Sequence, residues 1–434
     1  MNKHSLYWQD LSRHGFFYYT ALLFCYCAMF ACEVFFVPYY MEVGFSNAQI
    51  GVIMALRSAA ATLFPPFIGA FADKIRSKRR ALTLCLLLVS LFIFLTPTVS
   101  GVYWLSLLIG ALYNGFSSPV SSLAETWALT ETERARSGGS RVSYGPIRAA
   151  ASLGYALFCL FYSLLLQKTG ESNAIALYAS VALGLVSVGI AAAGRKWEHS
   201  DAAEAARPAL TFRELRPGRL LHNYYYMTFL LIYAMMSCAL NFAQNYISQL
   251  IVAAGGAASL SGTFNFLRAF LEIPMFFWAP RLERRFGYKK LLLASCLAFF
   301  LANMLYICFG SIPAILIGQG IAGMAGGLMF ACALSYIFTL VPHSLSATAQ
   351  TLSAGCNNII CMLANLAGGF LIDAFGIRSI YGVCAGILLL AFLLFWATLG
   401  IGRLRGIAPY APESDPVEQA LLQKAEHEIF PHSL

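Results

Sequence analysis

The sequence predicts an all-α membrane protein with twelve transmembrane helices, arranged as two six-helix halves related by pseudo-twofold symmetry. Three observations support this prediction: the apolar composition, twelve long apolar runs and an internal repeat. Hydrophobic residues make up 59% of the 434-residue chain and charged residues only 11%, whereas water-soluble domains carry roughly 25% charged residues. With a mean hydropathy of +0.68, the chain lacks the polar surface of a soluble fold, so we expect a lipid bilayer to be its solvent.

The apolar runs are long enough to cross a hydrocarbon core of about 30 Å, which takes around 20 residues. Short connections join most of them, but one long polar stretch divides the runs six and six. We assign residues 1–194 to an N-terminal half, 195–222 to a cytoplasmic linker, 223–402 to a C-terminal half and 403–434 to a cytoplasmic tail. The predicted spans are 16–40, 47–71, 80–98, 101–127, 142–167, 173–194, 223–250, 259–280, 290–309, 312–340, 345–371 and 376–400.

A short charged repeat relates the two halves. The segment 69–80 carries Asp73 and a cluster of basic residues between the second and third spans, and the segment 279–290 occupies the same place in the second half. Asp73 aligns with Glu283 of the second copy. Internal repeats are typical of membrane transporters, so the repeat favours that class of protein.

Basic residues fall mainly on one side of the predicted topology. With a cytoplasmic N-terminus, 24 of the 29 Lys and Arg residues lie in inside segments, and two, Lys168 and Arg378, lie in outside loops. Because cytoplasmic loops carry an excess of Lys and Arg, we place both termini inside and expect a multi-pass protein of the plasma or inner membrane. The first fifteen residues lack the pattern of a signal peptide, so the first span is expected to be retained.

The sequence argues against several other functions. Its basic residues fall in loops, not on one face, so no nucleic-acid partner is expected. The twelve cysteines show neither zinc-site spacing nor a disulfide framework, and the chain has no G-x-x-x-x-G-K-[ST], H-E-x-x-H or G-x-S-x-G motif. We therefore predict no enzymatic activity, no cofactor and no metal site, and we expect a monomer.

The loop motif and the twelve-span pattern resemble the major facilitator superfamily, in which a G-x-x-x-D-x-x-x-x-[RK]-[RK]-type loop joins helices two and three. The segment Tyr144-Gly145-Pro146-Ile147-Arg148 resembles, more narrowly, the fifth helix of the lactose permease and phenylpropionate permease group of proton symporters. Residues 123–127 and 275–287 are similar to its fourth helix end and its eighth helix. This resemblance implies that Arg148 enters a substrate cavity.

One departure from that group concerns proton handling. The lactose permease pattern places an Arg, a His and a Glu on helices nine and ten, but no charged residue or histidine lies between Leu291 and Leu340 here. Proton coupling must therefore use other groups.

Four charged residues in the fourth, fifth and eighth spans are the main candidates for the functional site. Each charge in a membrane costs a few kcal/mol, so a charged residue within a span is a functional hypothesis by default. Arg148 is predicted to bind the substrate or an acid partner. Glu125, near the cytoplasmic end of its span, either joins it or is solvated. Arg268 and Glu272 stand one helical turn apart; they form a plain intrahelical pair, or Glu272 is the titrating acid of proton coupling.

Two further charges, Glu33 and Arg57, lie at similar depths in the first and second spans. They form either a second proton-coupling pair or a buried structural pair. The charged loops are predicted to gate the cavity by contacts between the halves. The predicted gating residues are Asp73, Arg76, Arg80 and Glu283.

Neutral side chains complete the predicted site. Polar residues recur at helical spacing along the seventh span, where they either line a water-filled cavity or join helices to one another. Two amides of the eleventh span are expected to face them, and an aromatic ring at the end of the fourth span either stacks on a solute or packs. These substrate-binding candidates are Asn241, Gln244, Asn245, Asn357, Asn358 and Trp127.

These features together predict a secondary active transporter that works by alternating access. We expect it to import a small polar or aromatic solute, such as a sugar, a nucleoside or an aryl acid, coupled to protons. An exporter or uncoupled facilitator of the same fold is the alternative, and a transporter-like membrane sensor is a weaker one. The sequence does not name the solute.

Overall fold

The computed structural model describes residues 15–75, 77–99, 101–137, 140, 144–194, 223–341 and 346–404. In these ranges the chain forms twelve long helices, which confirms the predicted all-α membrane fold. The helices are α1 Phe16–Glu42, α2 Asn47–Ile75, α3 Lys78–Thr98, α4 Tyr103–Ser137, α5 Tyr144–Thr169, α6 Ala174–Ala193, α7 Tyr224–Asn245, α8 Ser261–Phe286, α9 Tyr288–Cys308, α10 Ile312–Leu340, α11 Ser346–Phe375 and α12 Arg378–Leu404.

The first helix of each half is interrupted. In α1 a 3₁₀ segment, Ala31–Phe35, separates Phe16–Phe30 from Phe36–Glu42. In the second half, α7 ends at Asn245, and a short helix, Ile247–Ala253, continues it. A 3₁₀ stretch inside a long helix often marks a functional hinge, and the one in α1 contains Glu33.

Ten of the helices are long and apolar enough to cross a membrane. The two that fall short are α4 and α8, which carry Glu125 and the pair Arg268 and Glu272. Their lower hydropathy reflects the polar and charged side chains that they bring into the bundle.

Local sequence signals fix where several helices begin. At the start of α2 the backbone N–H of Gln49 donates to Ser46 Oγ while Ser46 N–H donates to Gln49 Oε1, which is a capping box. Ser77 caps α3 by accepting from the backbone N–H of Arg80. Gly287, with a φ of 78°, makes the one-residue turn between α8 and α9 because glycine adopts positive φ without strain.

Each half has its own apolar core. Tyr19, Tyr40 and Tyr113 are fully buried within the N-terminal half, while Tyr226 and Tyr381 are fully buried within the C-terminal half. The halves meet where α2 packs against α11 and α5 packs against α8. The predicted linker 195–222, Arg76 and residues 405–434 of the predicted tail lie outside the described residues.

Candidate functional site

A cavity of about 280 Å³ lies where α1, α4 and α5 of the N-terminal half meet α8 of the C-terminal half. Its wall mixes aromatic, hydroxyl and charged side chains. All four charged residues that the sequence singled out in the fourth, fifth and eighth spans contribute to it. The lining residues are Tyr26, Cys27, Phe30, Ser121, Glu125, Arg148, Ala151, Ser152, Tyr155, Arg268, Ala269, Glu272, Ile273 and Phe276.

Glu125 of α4 and Arg148 of α5 form an ion pair in this cavity. Arg148 Nε lies 3.4 Å from Glu125 Oε1, and the Tyr26 hydroxyl donates to the same oxygen at 3.2 Å. Arg148 Nη1 also donates to Ser152 Oγ at 3.2 Å. The Arg148 side chain is 46% exposed and the Glu125 side chain is 32% exposed. Because a partly exposed pair gains little net energy, both groups can exchange this contact for one with a bound solute.

Arg268 and Glu272 face the cavity from α8. Arg268 Nη1 lies 3.9 Å from Glu272 Oε2, and the two side chains are only 16% and 19% exposed. Arg268 Nε is buried and has no hydrogen-bond partner among the described residues. A buried donor without a partner costs free energy, so this guanidinium retains a donor that a solute or a displaced carboxylate can satisfy.

The two pairs together give the cavity a balanced charge. Two carboxylates, Glu125 and Glu272, offset two guanidinium groups, Arg148 and Arg268, and the pairs come from opposite halves. The carboxylates accept hydrogen bonds and the guanidinium groups donate them. The wall therefore offers paired donors and acceptors to a polar solute, with Phe30 and Phe276 as apolar surfaces.

Glu33 and Arg57 form a separate polar cluster within the N-terminal half. Arg57 Nη2 lies 3.6 Å from Glu33 Oε1, and the Tyr113 hydroxyl donates to that oxygen at 3.0 Å. The Arg57 guanidinium also stacks over the Phe36 and Tyr113 rings, at 4.4 and 5.0 Å from the ring centroids. Arg57 is 6% exposed but Glu33 is 41% exposed, so the carboxylate, not the guanidinium, is the accessible member.

The predicted polar residues of α7 bond mainly to other helices. Gln244 exchanges two hydrogen bonds with Gln319 of α10, at 3.2 and 3.1 Å, and donates to Asn265 Oδ1 of α8 at 3.2 Å. Asn245 Nδ2 donates to Asn365 Oδ1 of α11 at 2.9 Å. These bonds match the helix-joining alternative that the sequence left open.

The remaining predicted binding residues lie outside the cavity wall. Asn241 donates to the Ser237 carbonyl of its own helix. Asn357 accepts from the Cys361 thiol one turn along α11, and both Asn357 and Asn358 are half-buried. Trp127 is 4% exposed, with its ring edge-to-face against two tyrosines of α1, which is a packing environment.

The predicted gating residues are only partly described. Arg76 and the Asp73 side chain lie outside the described part of the chain. Arg80 is exposed in the first turn of α3, and Glu283 is half-buried in the last turn of α8. Their gating role stays a prediction.

Three partners of the charged residues were not predicted from the sequence. Ser152 lies one turn after Arg148, and that spacing is a signal that sequence reasoning can use. Tyr26 and Tyr113 reach Glu125 and Glu33 from other helices, and nothing in their local sequence links them to those acids.

Comparisons with known proteins agree on the fold. Residues 16–383 match the model of the MFS_1 like family. The maltose permease of Geobacillus stearothermophilus is 27% identical over 381 residues, which cover 87% of this chain and 92% of the permease. The crystal structure of the nucleoside transporter NupG superposes with a TM-score of 0.73 at 18% identity, covering 88% of this chain and 98% of NupG.

A further relative matches over a shorter stretch. The multidrug resistance protein MdtG of Citrobacter koseri is 33% identical over 164 residues, which cover 37% of this chain and 40% of MdtG. This shorter match concerns a part of each chain.

Proposed function

The chain belongs to the MFS_1 like family of major facilitator superfamily transporters, and on that premise we propose that it imports a small polar or aromatic solute together with protons, by alternating access. The observation that carries the proposal is the cavity between the halves. It holds an acid and an arginine from the N-terminal half, Glu125 and Arg148, beside an acid and an arginine from the C-terminal half, Glu272 and Arg268.

The cavity wall supports binding of a small solute. A volume of about 280 Å³ is just below the roughly 300–1,000 Å³ typical of ligand pockets, which suits a small solute. Arg148 offers a planar fork of donors to a pair of hydroxyls or to a carboxylate, and Glu125 offers acceptors beside it. A sugar, a nucleoside and an aryl acid each present groups of this kind, and the relatives named for maltose and nucleosides support the first two.

Proton coupling follows from the cost of an unpaired charge in a closed cavity. When the halves close around the site, a carboxylate without a partner is expensive to bury, whereas a protonated carboxyl is not. We assign the titrating role to Glu272, since its pairing with Arg268 is long at 3.9 Å and its side chain is largely buried. A solute that takes the Arg268 donors would leave Glu272 to bind a proton.

Glu33 with Arg57 is the second candidate for coupling. Its carboxylate is accessible and lies in the 3₁₀ segment of α1. It is placed second because the Tyr113 hydroxyl and the Arg57 guanidinium already satisfy it.

Solute-driven proton uptake tests the proposal directly. De-energised cells that contain the protein are suspended in a lightly buffered medium, and sugars, nucleosides and aryl acids are added one at a time. We expect external alkalinisation with one solute, and its loss in Glu272→Gln and Arg148→Ala. Glu171→Gln serves as the control because Glu171 is exposed in the loop between α5 and α6, so it should respond as the wild type does.

The outcomes separate binding from coupling. Uptake of a labelled solute without alkalinisation would overturn proton coupling and leave a facilitator. Alkalinisation that survives Glu272→Gln would overturn the assignment of Glu272 and pass the role to Glu33.

Export is the second candidate function, since the partial match to MdtG concerns a multidrug resistance protein. Membrane vesicles of opposite orientation, each given an imposed proton gradient, distinguish the two directions. Accumulation of apolar dyes in inverted vesicles, with no solute uptake in right-side-out vesicles, would replace import by export.

A further inference from the structure

The face that the sequence predicts to be external contains an acidic contact between the halves. α2 of the N-terminal half begins there at Asn47, and α11 of the C-terminal half ends there at Phe375. Asp373 lies two residues before that end and is exposed. An acid near a loop is ordinary, so no sequence pattern marks this residue.

Asp373 caps the start of α2 from the opposite half. Asn47 Nδ2 donates to Asp373 Oδ1 at 2.8 Å, and the backbone N–H of Ala48 donates to Asp373 Oδ2 at 2.9 Å. The first amides of a helix have no partner within it. Here Ser46 satisfies the amide of Gln49, and the amide of Ala48 is satisfied by the other half of the protein. A carboxylate at this position also complements the helix dipole.

Further contacts at the same place bring the two backbones together. Gln249, in the helix that continues α7, donates to Asn47 Oδ1 at 3.3 Å. A Cβ on Gly369 of α11 would clash with the Asn47 carbonyl oxygen, and one on Gly51 of α2 would lie 2.8 Å from the Asn365 carbonyl oxygen. Only glycine allows this approach. The predicted external ends of α2 and α11 therefore touch beside the Asp373 contact, and that contact depends on their touching.

The cavity lies on the inner side of the contacts that join the halves. On α5, Ser163 donates to the Ser259 carbonyl at 2.7 Å and bonds to Thr263 Oγ1 at 2.8 Å. Arg148 of the cavity wall precedes Ser163 by fifteen residues, which is about 22 Å along a helix. Opening a path from the cavity to the predicted external face therefore requires these contacts, and that of Asp373, to separate.

We propose that Asp373 is a gating residue, which holds the external face closed by capping α2 across the two halves and releases it when the cavity opens outward. The proposal rests on the alternating access of the proposed function, but its test needs neither a solute nor a proton gradient. Asn47 is the partner in this gate, and Gln249 extends it to α7.

The protein contains a matched contact that stays within one half. Glu42, at the end of α1, accepts from both the backbone N–H and the Nδ2 of Asn173, at 2.9 and 3.0 Å. The chemistry is that of Asp373 with Ala48 and Asn47. Because Glu42 and Asn173 belong to the same half, their contact need not break when the halves move.

Two native cysteines report the state of the gate. Cys27 lines the cavity, and Cys308 is exposed at the end of α9 on the same face as Asp373. A membrane-impermeant maleimide is applied to cells and to inverted membrane vesicles, and mass spectrometry gives the labelling rate of each cysteine. Cys308 is labelled fast only when the reagent reaches the predicted external face, so its rate identifies the sample in which the reagent meets the gate. Cys27→Ser supplies the blank.

We expect Asp373→Ala to raise the labelling rate of Cys27 from the gate side about tenfold, and Asn47→Ala to raise it in the same direction. In Glu42→Ala the labelling rate of Cys27 should stay within twofold of the wild-type rate. A tenfold shift corresponds to about 1.4 kcal/mol. Wild-type labelling of Cys27 from the opposite side confirms that the reporter is reactive.

Either of two results would overturn the gate. Cys27 labelling in Asp373→Ala could stay within twofold of the wild type, in protein shown to reach the membrane. Alternatively, Glu42→Ala could raise it as much as Asp373→Ala does, which would mean that any lost helix cap loosens the bundle. Neither result touches the proposed transport activity, which the alkalinisation experiment tests separately.

Discussion

The two halves of this transporter handle polar groups in different ways. Each charge pair of the N-terminal half keeps at least one member accessible, with Glu33 41% and Arg148 46% exposed. In the C-terminal half the amides close on one another, and Gln319, Asn265 and Asn365 are 1%, 5% and 2% exposed. Accessible charges can change partners during a transport cycle, whereas buried and satisfied amides hold helices in place. The accessible charges therefore lie mainly in the N-terminal half, whereas the C-terminal half adds a positioning network to its own two cavity charges.

α8 connects these two roles. Its Asn265 belongs to the amide network through Gln244, while Arg268 and Glu272 lie three and seven residues further on and face the cavity. The network therefore fixes the rotation of α8, and that rotation aims its two charges at the N-terminal half.

The largest expected effect comes from breaking the accessible charge pair. Arg148→Ala should lower the efficiency of solute uptake about 100-fold, because it removes the donors to the solute and leaves Glu125 without its cation, at a cost of about 2–5 kcal/mol. Because Arg148 and Glu125 are both partly exposed, we expect a cost at the lower end of that range. Arg148→Lys should recover only part of it, since an ammonium lacks the planar fork.

The measurement is initial uptake of the solute that the alkalinisation panel identifies. Arg281→Ala is the control, because Arg281 is exposed near the C-terminal end of α8 and its described hydrogen bond is to the Phe277 carbonyl of its own helix. An Arg148→Ala protein with uptake within threefold of the control would remove Arg148 from the site.

Breaking the amide network should affect stability more than transport. Gln244→Met leaves Gln319 and Asn265 each short of a buried partner, which costs about 1–3 kcal/mol. We expect a lower midpoint of thermal unfolding in detergent and a solute affinity within about threefold of the wild type. Asn241→Leu is the matched control, since Asn241 bonds within its own helix. Equal destabilisation by both variants would refute the positioning role of the network.

Sequence reasoning predicted the spans and the charged candidates because both depend on local composition. An apolar run of sufficient length has few alternatives to a membrane helix, and Arg148 or Glu272 is conspicuous within one. The pairing of Glu125 with Arg148 was also within reach, because the two lie near the same end of adjacent spans.

The rest depends on helix rotation and on contacts between distant segments. The polar period of α7 marks one face, but a face that meets Gln319 and Asn365 looks the same in sequence as a face that meets water. Tyr26 reaches Glu125 across 99 positions, and Asp373 reaches Asn47 across 326. No local signal marks such pairs, so only the folded arrangement identifies them.

The Glu33 cluster offers a sharper test within the N-terminal half. Tyr113→Phe removes the hydroxyl that donates to Glu33 Oε1, and a hydrogen bond to a charged group contributes about 1.5–3 kcal/mol when buried. Because Glu33 is 41% exposed, we expect a smaller effect, about fivefold on the transport rate. The number of protons taken up per solute should not change, since that role is assigned to Glu272.

Tyr40→Phe is the matched control for this variant. The Tyr40 hydroxyl is buried beside the same cluster and has no hydrogen-bond partner in the described part of the chain, so its removal should leave the rate unchanged. A changed proton-to-solute ratio in Tyr113→Phe, measured from paired alkalinisation and uptake, would instead move the coupling role to Glu33.

The smallest expected effect concerns how Arg148 is held. Ser152→Ala removes the hydroxyl that accepts from Arg148 Nη1, and a single hydrogen bond of this kind contributes about 0.5–1.5 kcal/mol. We expect the KM for uptake to rise about threefold with little change in maximal rate. Ser121→Ala is the control, because Ser121 also lines the cavity but donates to the Ser118 carbonyl of its own helix. If both variants raise KM equally, the effect is caused by the lost polarity of the cavity wall and not by the contact with Arg148. If only Ser152→Ala raises KM, Ser152 positions Arg148 within the N-terminal half. That positioning is local and does not depend on the amide network that positions α8.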